Sequence, residues 1–315
     1  MENFLEHQTG LFASNEQKEH STTTSRTELP LKILRTLRIL RDANVSLERK
    51  LNHFSTVPDE YIEYWNRYQV LVSMDKDELV GINLGGLMVR IVNIIPFLES
   101  CQHYDIKLGS INLGGTDVQM DNLLEALEKY ENSIASTKKL YLGGCSISCF
   151  KKIKQLAKVL KLCTALTILD LRYNDLNDLD IEEIAPMLSK SIKVLHLEGN
   201  QIQCNGAKAI SDNMLSTQSA SIEELYLGAN NIDPNGAHHI ANGLISNLSL
   251  TKLYLEGNKI GDDGAKAFTV VLTDQTNRRC TALQHLYVSN NGLGKDVAIE
   301  LGRAVNHNSM IDGLF

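Results

Sequence analysis

LTILDLRYNDL (166–176), IKVLHLEGNQI (192–202), IEELYLGANNI (222–232), LTKLYLEGNKI (250–260) and LQHLYVSNNGL (283–293) align without gaps, and all five read LxxLxLxxNxL with small apolar exchanges. Three weaker copies precede them: LVGINLGGLMV (79–89), LGSINLGGTDV (108–118) and TKKLYLGGCSI (137–147). The sixth motif position falls on Leu84, Leu113, Leu142, Leu171, Leu197, Leu227, Leu255 and Val288, so successive spacings are 29, 29, 29, 26, 30, 28 and 33 residues. A period in this range is the mark of a stacked repeat and has to be read before any local assignment.

Within each unit the LxLxx stretch alternates apolar and polar residues, the period of a strand with one buried face. The segment after it has a different period. Ala207, Ile210 and Met214 in one unit, and Ala237, Ile240, Ala241 and Leu244 in the next, recur at helical intervals and form one apolar face. One strand and one helix in so few residues cannot bury that face alone. Stacking units side by side buries it, with parallel strands on one side and helices on the other, and the wider helices force the stack to curve with the sheet inside. Ala207, Ala237 and Ala265 are small enough to bring each helix close to the sheet. The motif asparagines Asn174, Asn200, Asn230, Asn258 and Asn291 stand where the chain leaves the strand, and an inward amide there can satisfy turn N–H and C=O groups. A buried ladder is expected, degenerate at its start, where Leu87, Thr116 and Cys145 take the asparagine's place.

In LYLEGNKIGDDGAKAF and LYLGANNIDPNGAHHI the chain resembles the ribonuclease-inhibitor subfamily of leucine-rich repeats, a type also found in NOD-like receptor sensor regions and bacterial effector proteins. The resemblance covers about three quarters of the chain. It implies an α/β leucine-rich-repeat solenoid, with a curved parallel sheet on the concave face and helices on the convex face, that acts as a protein-binding module. The ligand's identity does not transfer with the fold.

Ahead of the repeats, residues 1–27 are polar and read as a mobile tail, and residues 28–75 as an N-terminal helical cap. Pro30 suits a first helical turn, Ile33, Leu34, Leu37 and Leu40 give a dense apolar face, and Thr56 with Asp59 has capping-box spacing. The i, i+3, i+4, i+7 series Tyr61, Tyr64, Trp65 and Tyr68 reads as a buried face hiding the first apolar layer of the stack. Lys32, Arg35, Arg38 and Arg41 drift around a helix at their spacing of three and read as a solvated face. An alternative stays open in this segment. LPLKIL from Leu29, with Trp65 further on, is similar to an F-box, which implies a substrate adaptor whose residues 28–75 recruit a ubiquitin-ligase adaptor subunit. The usual central valine and tryptophan signature is missing. A sensor or regulator is the other alternative. The repeat domain proper is taken as 76–315 in about eight units.

Composition bounds the remaining classes. Of 315 residues 43% are hydrophobic, enough for a sizeable core, and no run approaches the length of a membrane span. The net charge of -7, with both signs interspersed, argues against nucleic acid as a partner. With no signal peptide at the start, the expectation is a cytoplasmic protein, translocated into a host cell if the source is bacterial. Six scattered cysteines read as reduced thiols, and the Cys145–Cys149 pair lacks two further zinc ligands nearby in sequence. No P-loop, nucleophile elbow or metalloprotease motif appears, so no catalytic residue, metal or cofactor is assigned. His238-His239 on a helix and Asp262-Asp263 in a loop read as surface residues.

The binding face can be read from the motif, because residues between the strand leucines point away from the core. Position five presents Asn83, Asn112, Tyr141, Asp170, His196, Tyr226, Tyr254 and Tyr287, which places four of the chain's ten tyrosines on one stripe. Tyrosine gives large contact area at low entropic cost, so Tyr226, Tyr254 and Tyr287 are expected to centre a protein-binding surface, with Tyr141, Asp170 and His196 continuing it. Arg172, Glu198 and Glu256 at position seven, with Val194, Glu224 and Lys252 at position three, are the expected polar rim. Gly85, Gly114 and Gly143 at position seven make the first units flatter. Alanine at the three tyrosines is expected to abolish partner capture with little effect on thermal unfolding.

Overall fold

The computed structural model describes residues 107–115, 120–188, 190–216, 221–245, 247–273 and 282–307, together with residues 98 and 102 and four two-residue strands. The predicted tail and all but the last two residues of the predicted cap lie outside the described residues, as do the F-box-like segment, Leu87 and Thr116.

A short antiparallel hairpin, β1 (Met74–Asp75) with β2 (Glu78–Leu79), precedes one parallel sheet. Its strands are β3 (Ile82–Asn83), β4 (Ser110–Asn112), β5 (Lys139–Tyr141), β6 (Ile168–Asp170), β7 (Val194–His196), β8 (Glu224–Tyr226), β9 (Lys252–Tyr254), β10 (His285–Tyr287) and β11 (Gly313–Leu314). They pair in strict chain order, so every connection returns the chain beside the strand it left. Register follows the motif: Leu140, Leu169, Leu195, Leu225, Leu253 and Leu286 all lie opposite one another and are fully buried. The partial strand after the eighth unit adds β11 to the edge.

The return segments are helical: α1 (Met120–Lys129), α2 (Glu131–Ile134), α3 (Phe150–Leu162), α4 (Asp178–Ile184), α5 (Cys204–Ile210), α6 (Pro234–Leu244), α7 (Gly261–Thr273) and α8 (Lys295–His307). Ala207, Ile210, Ala237, Ile240, Ala241, Leu244 and Ala265 are buried as their periodicity requires. The alanines are half of the packing device. A Cβ on Gly236 would stand 3.3 Å from the Cβ of Ala207, and one on Gly264 only 2.8 Å from that of Ala237, so each Gly-Ala pair lets a helix seat against its predecessor. Asp262 and Asp263 occupy the first turn of α7 and not a loop, and Asp262 accepts from the Gly294 N–H of the next unit at 2.7 Å.

The asparagine ladder is present and buried. Each side-chain amide donates to the position-six carbonyl of its own unit and of the unit before, as Asn230 does to Leu227 and Leu197, both at 3.0 Å. Each side-chain carbonyl accepts from a buried N–H one unit back, as Asn230 does from Ile202 at 3.1 Å. At the degenerate end Cys145 takes over part of this role: its thiol donates to the Leu113 carbonyl at 3.1 Å, the same position-six acceptor an amide would use. Burial pushes the other buried thiol, Cys163, up to about 12.

Candidate functional site

Parallel pairing in register brings position five of successive units side by side: Asn112, Tyr141, Asp170, His196, Tyr226, Tyr254 and Tyr287. The spacing of neighbouring strands, about 4.8 Å, is also close to the stacking distance of aromatic rings. The rings use it. Tyr226 and Tyr254 have centroids 4.1 Å apart at 7°, Tyr254 and Tyr287 4.3 Å at 8°, and His196 closes the other end at 4.2 Å and 22° from Tyr226. The predicted three-tyrosine row is therefore a four-ring stack including His196. The inner rings cover one another's faces, so the stack offers mainly ring edges and polar tips. Tyr141 stands apart, separated by Asp170.

A polar frame holds the stack. Tyr226 Oη donates to Glu224 Oε2 at 2.6 Å, and Lys252 Nζ donates to Glu224 Oε1 at 2.7 Å. Burial would raise the Glu224 carboxyl, but those two hydrogen bonds outweigh it and hold it below its ordinary value. Burial and the same bond to Glu224 raise the Tyr226 phenol, which stays a donor at neutral pH. On the other side of the stack Asp170 is buried and receives Arg172 Nε at 2.9 and 3.0 Å on its two oxygens. Burial and then the Asp170 charge raise the Tyr141 hydroxyl, opposed by Arg172. Asp170 and Arg172 thus engage each other, with the Asp170 side chain 10% and the Arg172 side chain 37% exposed.

Position seven differs most from the sequence reading. Its glycines are spaces that a neighbour occupies. A Cβ on Gly143 would lie 2.9 Å from Arg172 Cγ, and one on Gly228 3.3 Å from Glu256 Oε2, so both side chains lean over the preceding unit's glycine. Glu198 Oε1 stands 3.1 Å from His196 Nδ1, at hydrogen-bond distance, while its Oε2 is buried with no hydrogen-bond partner among the described residues. Burial and the Glu198 charge raise the Glu256 carboxyl against the lowering effect of its own backbone hydrogen bond. The signal that locates this feature is the series Glu198, Gly228, Glu256 read down one motif column, in place of each residue read within its own unit. His285, which contacts Tyr287 at 6.4 Å, was also missed; it stands at position three of the eighth unit.

Among the described residues no group of three or more His, Cys, Asp or Glu side chains could hold a metal ion, and no helix is long and apolar enough to cross a membrane.

Residues 162–185, 189–211 and 246–268 match the family model described as Leucine Rich repeat. No curated protein matches the chain in sequence. Among solved structures it is similar to a leiomodin-1 actin-binding site 2 domain (TM-score 0.35, 15% identity, covering 60% of this chain and 89% of that one). It is also similar to the internalin InlF from Listeria monocytogenes (TM-score 0.32, 16% identity, covering 75% of this chain and 80% of that one). The repeated motif, the chain-ordered parallel sheet and the asparagine ladder give this chain the fold of a leucine-rich-repeat solenoid, with which the partial family match agrees.

Proposed function

We propose that this solenoid, of ribonuclease-inhibitor type, is a non-catalytic scaffold that captures a partner protein on its concave face, in the units from His196 to Tyr287. The observation that carries this reading is the ring stack. Strand propensity favours an aromatic at any one of these positions, but it does not favour four in register on a face turned to solvent. Position five of the second unit manages with Asn112, whose side chain accepts the Gly114 N–H at 3.0 Å. A rigid, pre-packed aromatic ridge with few rotamers to lose is what an interface needs at its centre. Adaptor, sensor and effector roles would all use this ridge alike and differ in what the segment before residue 74 does.

The test is affinity capture with mass spectrometry from extracts of the source organism, comparing the full chain with the Y226A/Y254A/Y287A variant. Loss of a specific partner is expected. The stacking alters the accompanying stability expectation: ring contacts of about 0.5–1.5 kcal/mol each are removed, so the variant should melt measurably lower and not unchanged. A Y226F/Y254F/Y287F variant keeps the rings and should keep most of the binding. Capture that survives the alanine variant refutes the proposal.

A further inference from the structure

Resting on the concave-face function proposed above, we infer that the partner inserts one cationic side chain, arginine in preference to lysine, into the notch between Glu198 and Glu256 above Gly228, beside the ring stack. Three neighbouring units build this notch. Glu198 and Glu256 lie two strand spacings apart, about 10 Å between backbones, and the unit between them contributes no side chain at that position. Glu256 closes the distance by leaning across Gly228, with Oε2 at 3.3 Å from where a Cβ would stand. Glu256 therefore lies over the bare backbone of the middle unit, near enough to Glu198 to feel its charge.

Charge accounting on this stretch of the face points to a cation. Arg172 is bound by Asp170 and Lys252 by Glu224, at 2.9 and 2.7 Å. Glu198 and Glu256 are left without a lysine or arginine partner at ion-pair distance among the described residues; Glu198 meets His196 and feels the more distant charge of Arg172. Asp170, Arg172, Glu198, Glu224, Lys252 and Glu256 sum to two negative charges, both in the notch. One oxygen of Glu198 is already withdrawn from water with no donor to meet it. Holding two like charges together half out of water costs folding free energy, and a cation supplied by the complex returns it as affinity and register. A forked guanidinium can address two carboxylates at once, which an ammonium cannot do with the same geometry. A metal ion fits less well, because the two carboxylates lack a third ligand.

The experiment selects phage-displayed random dodecapeptides against the full chain, in parallel with E198Q/E256Q and Y226A/Y254A/Y287A. Peptides won on the unmodified chain should share one fixed arginine or lysine. The best of them, synthesised, should bind E198Q/E256Q about tenfold or more weakly, and replacing its arginine by neutral citrulline should cost as much on the unmodified chain but nothing further on E198Q/E256Q. Tyrosine-dependent peptides with no fixed cation, or cationic peptides indifferent to the Glu→Gln changes, overturn this inference and leave the concave-face function standing. Peptides indifferent to the tyrosines as well, or none selected, overturn both.

Discussion

Replacing Asn174 by alanine should cost more stability than replacing Asn230, although the two occupy the same motif position and are both buried. In the middle of the ladder every position-six carbonyl has two amide donors: Leu197 receives Asn200 and Asn230, and Leu227 receives Asn230 and Asn258. Asn230→Ala therefore halves the supply to two carbonyls and fully orphans one group, the Ile202 N–H, for about 1–3 kcal/mol. Asn174 ends the amide series. Its side chain alone meets the Leu142 carbonyl at 2.8 Å, and it also accepts from the Cys145 N–H at 2.8 Å and, at the longer distance of 3.4 Å, from the Ile147 N–H. Two to three groups are orphaned there, about 3–6 kcal/mol. Urea unfolding followed by far-ultraviolet circular dichroism measures both. Because a repeat array is held unit to unit, the Asn174 variant should also split the transition, with the units before residue 166 unfolding first. Equal midpoints for the two variants would refute the shared-acceptor account of the ladder.

Two further outcomes follow from the charges and thiols. The Glu256 carboxyl is raised from its ordinary 4.5, so the stability this group adds is complete below that value and is lost as pH rises through its folded-state value. E256Q should therefore melt at or above the unmodified chain at neutral pH, with the gap closing in calorimetric scans toward pH 4; a variant that melts lower at pH 7 contradicts a Glu256 carboxyl raised by burial and by Glu198. Among the described cysteines, exposed Cys149 should react first with iodoacetamide at pH 8, while buried Cys163, pushed up to about 12, and Cys145, committed to the Leu113 carbonyl, should be protected until unfolding, as peptide mass spectrometry can follow.

The fold was legible because each of its forces leaves a residue-level mark at a fixed spacing. Burial of Leu195 or Leu225 needs an apolar residue at one motif position, and the turn needs an amide at another, so both appear in every later unit. The helix approach was half legible. Ala207, Ala237 and Ala265 announce a close contact, but the part played by Gly236 and Gly264 shows only in the Cβ distances of 3.3 and 2.8 Å to the preceding unit's alanine, which make any side chain there tight.

The candidate site was legible in the same measure as it follows the sheet. Position five of each strand could be placed on the concave face from alternation alone, and with it the tyrosine column. What alternation cannot supply is the direction in which a long side chain leans once its neighbour is glycine. Arg172 and Glu256 both lean over the preceding unit, but the consequences are opposite. Arg172 reaches the space above Gly143 while bound to Asp170 of its own strand, and two predicted contact residues become a neutral pair. Glu256 reaches the space above Gly228 and meets the field of another carboxylate, and two predicted rim residues become a single charged notch. The glycines at position seven thus give each long side chain room to lean, and the group it meets there decides whether its charge is neutralised inside the protein or left for a partner. Filling one is the sharpest way to separate the two. Gly228→Ala should push Glu256 back over its own unit and weaken cationic peptides, whereas Gly143→Ala, which disturbs only the Asp170–Arg172 pair, should lower the melting temperature and leave those peptides bound.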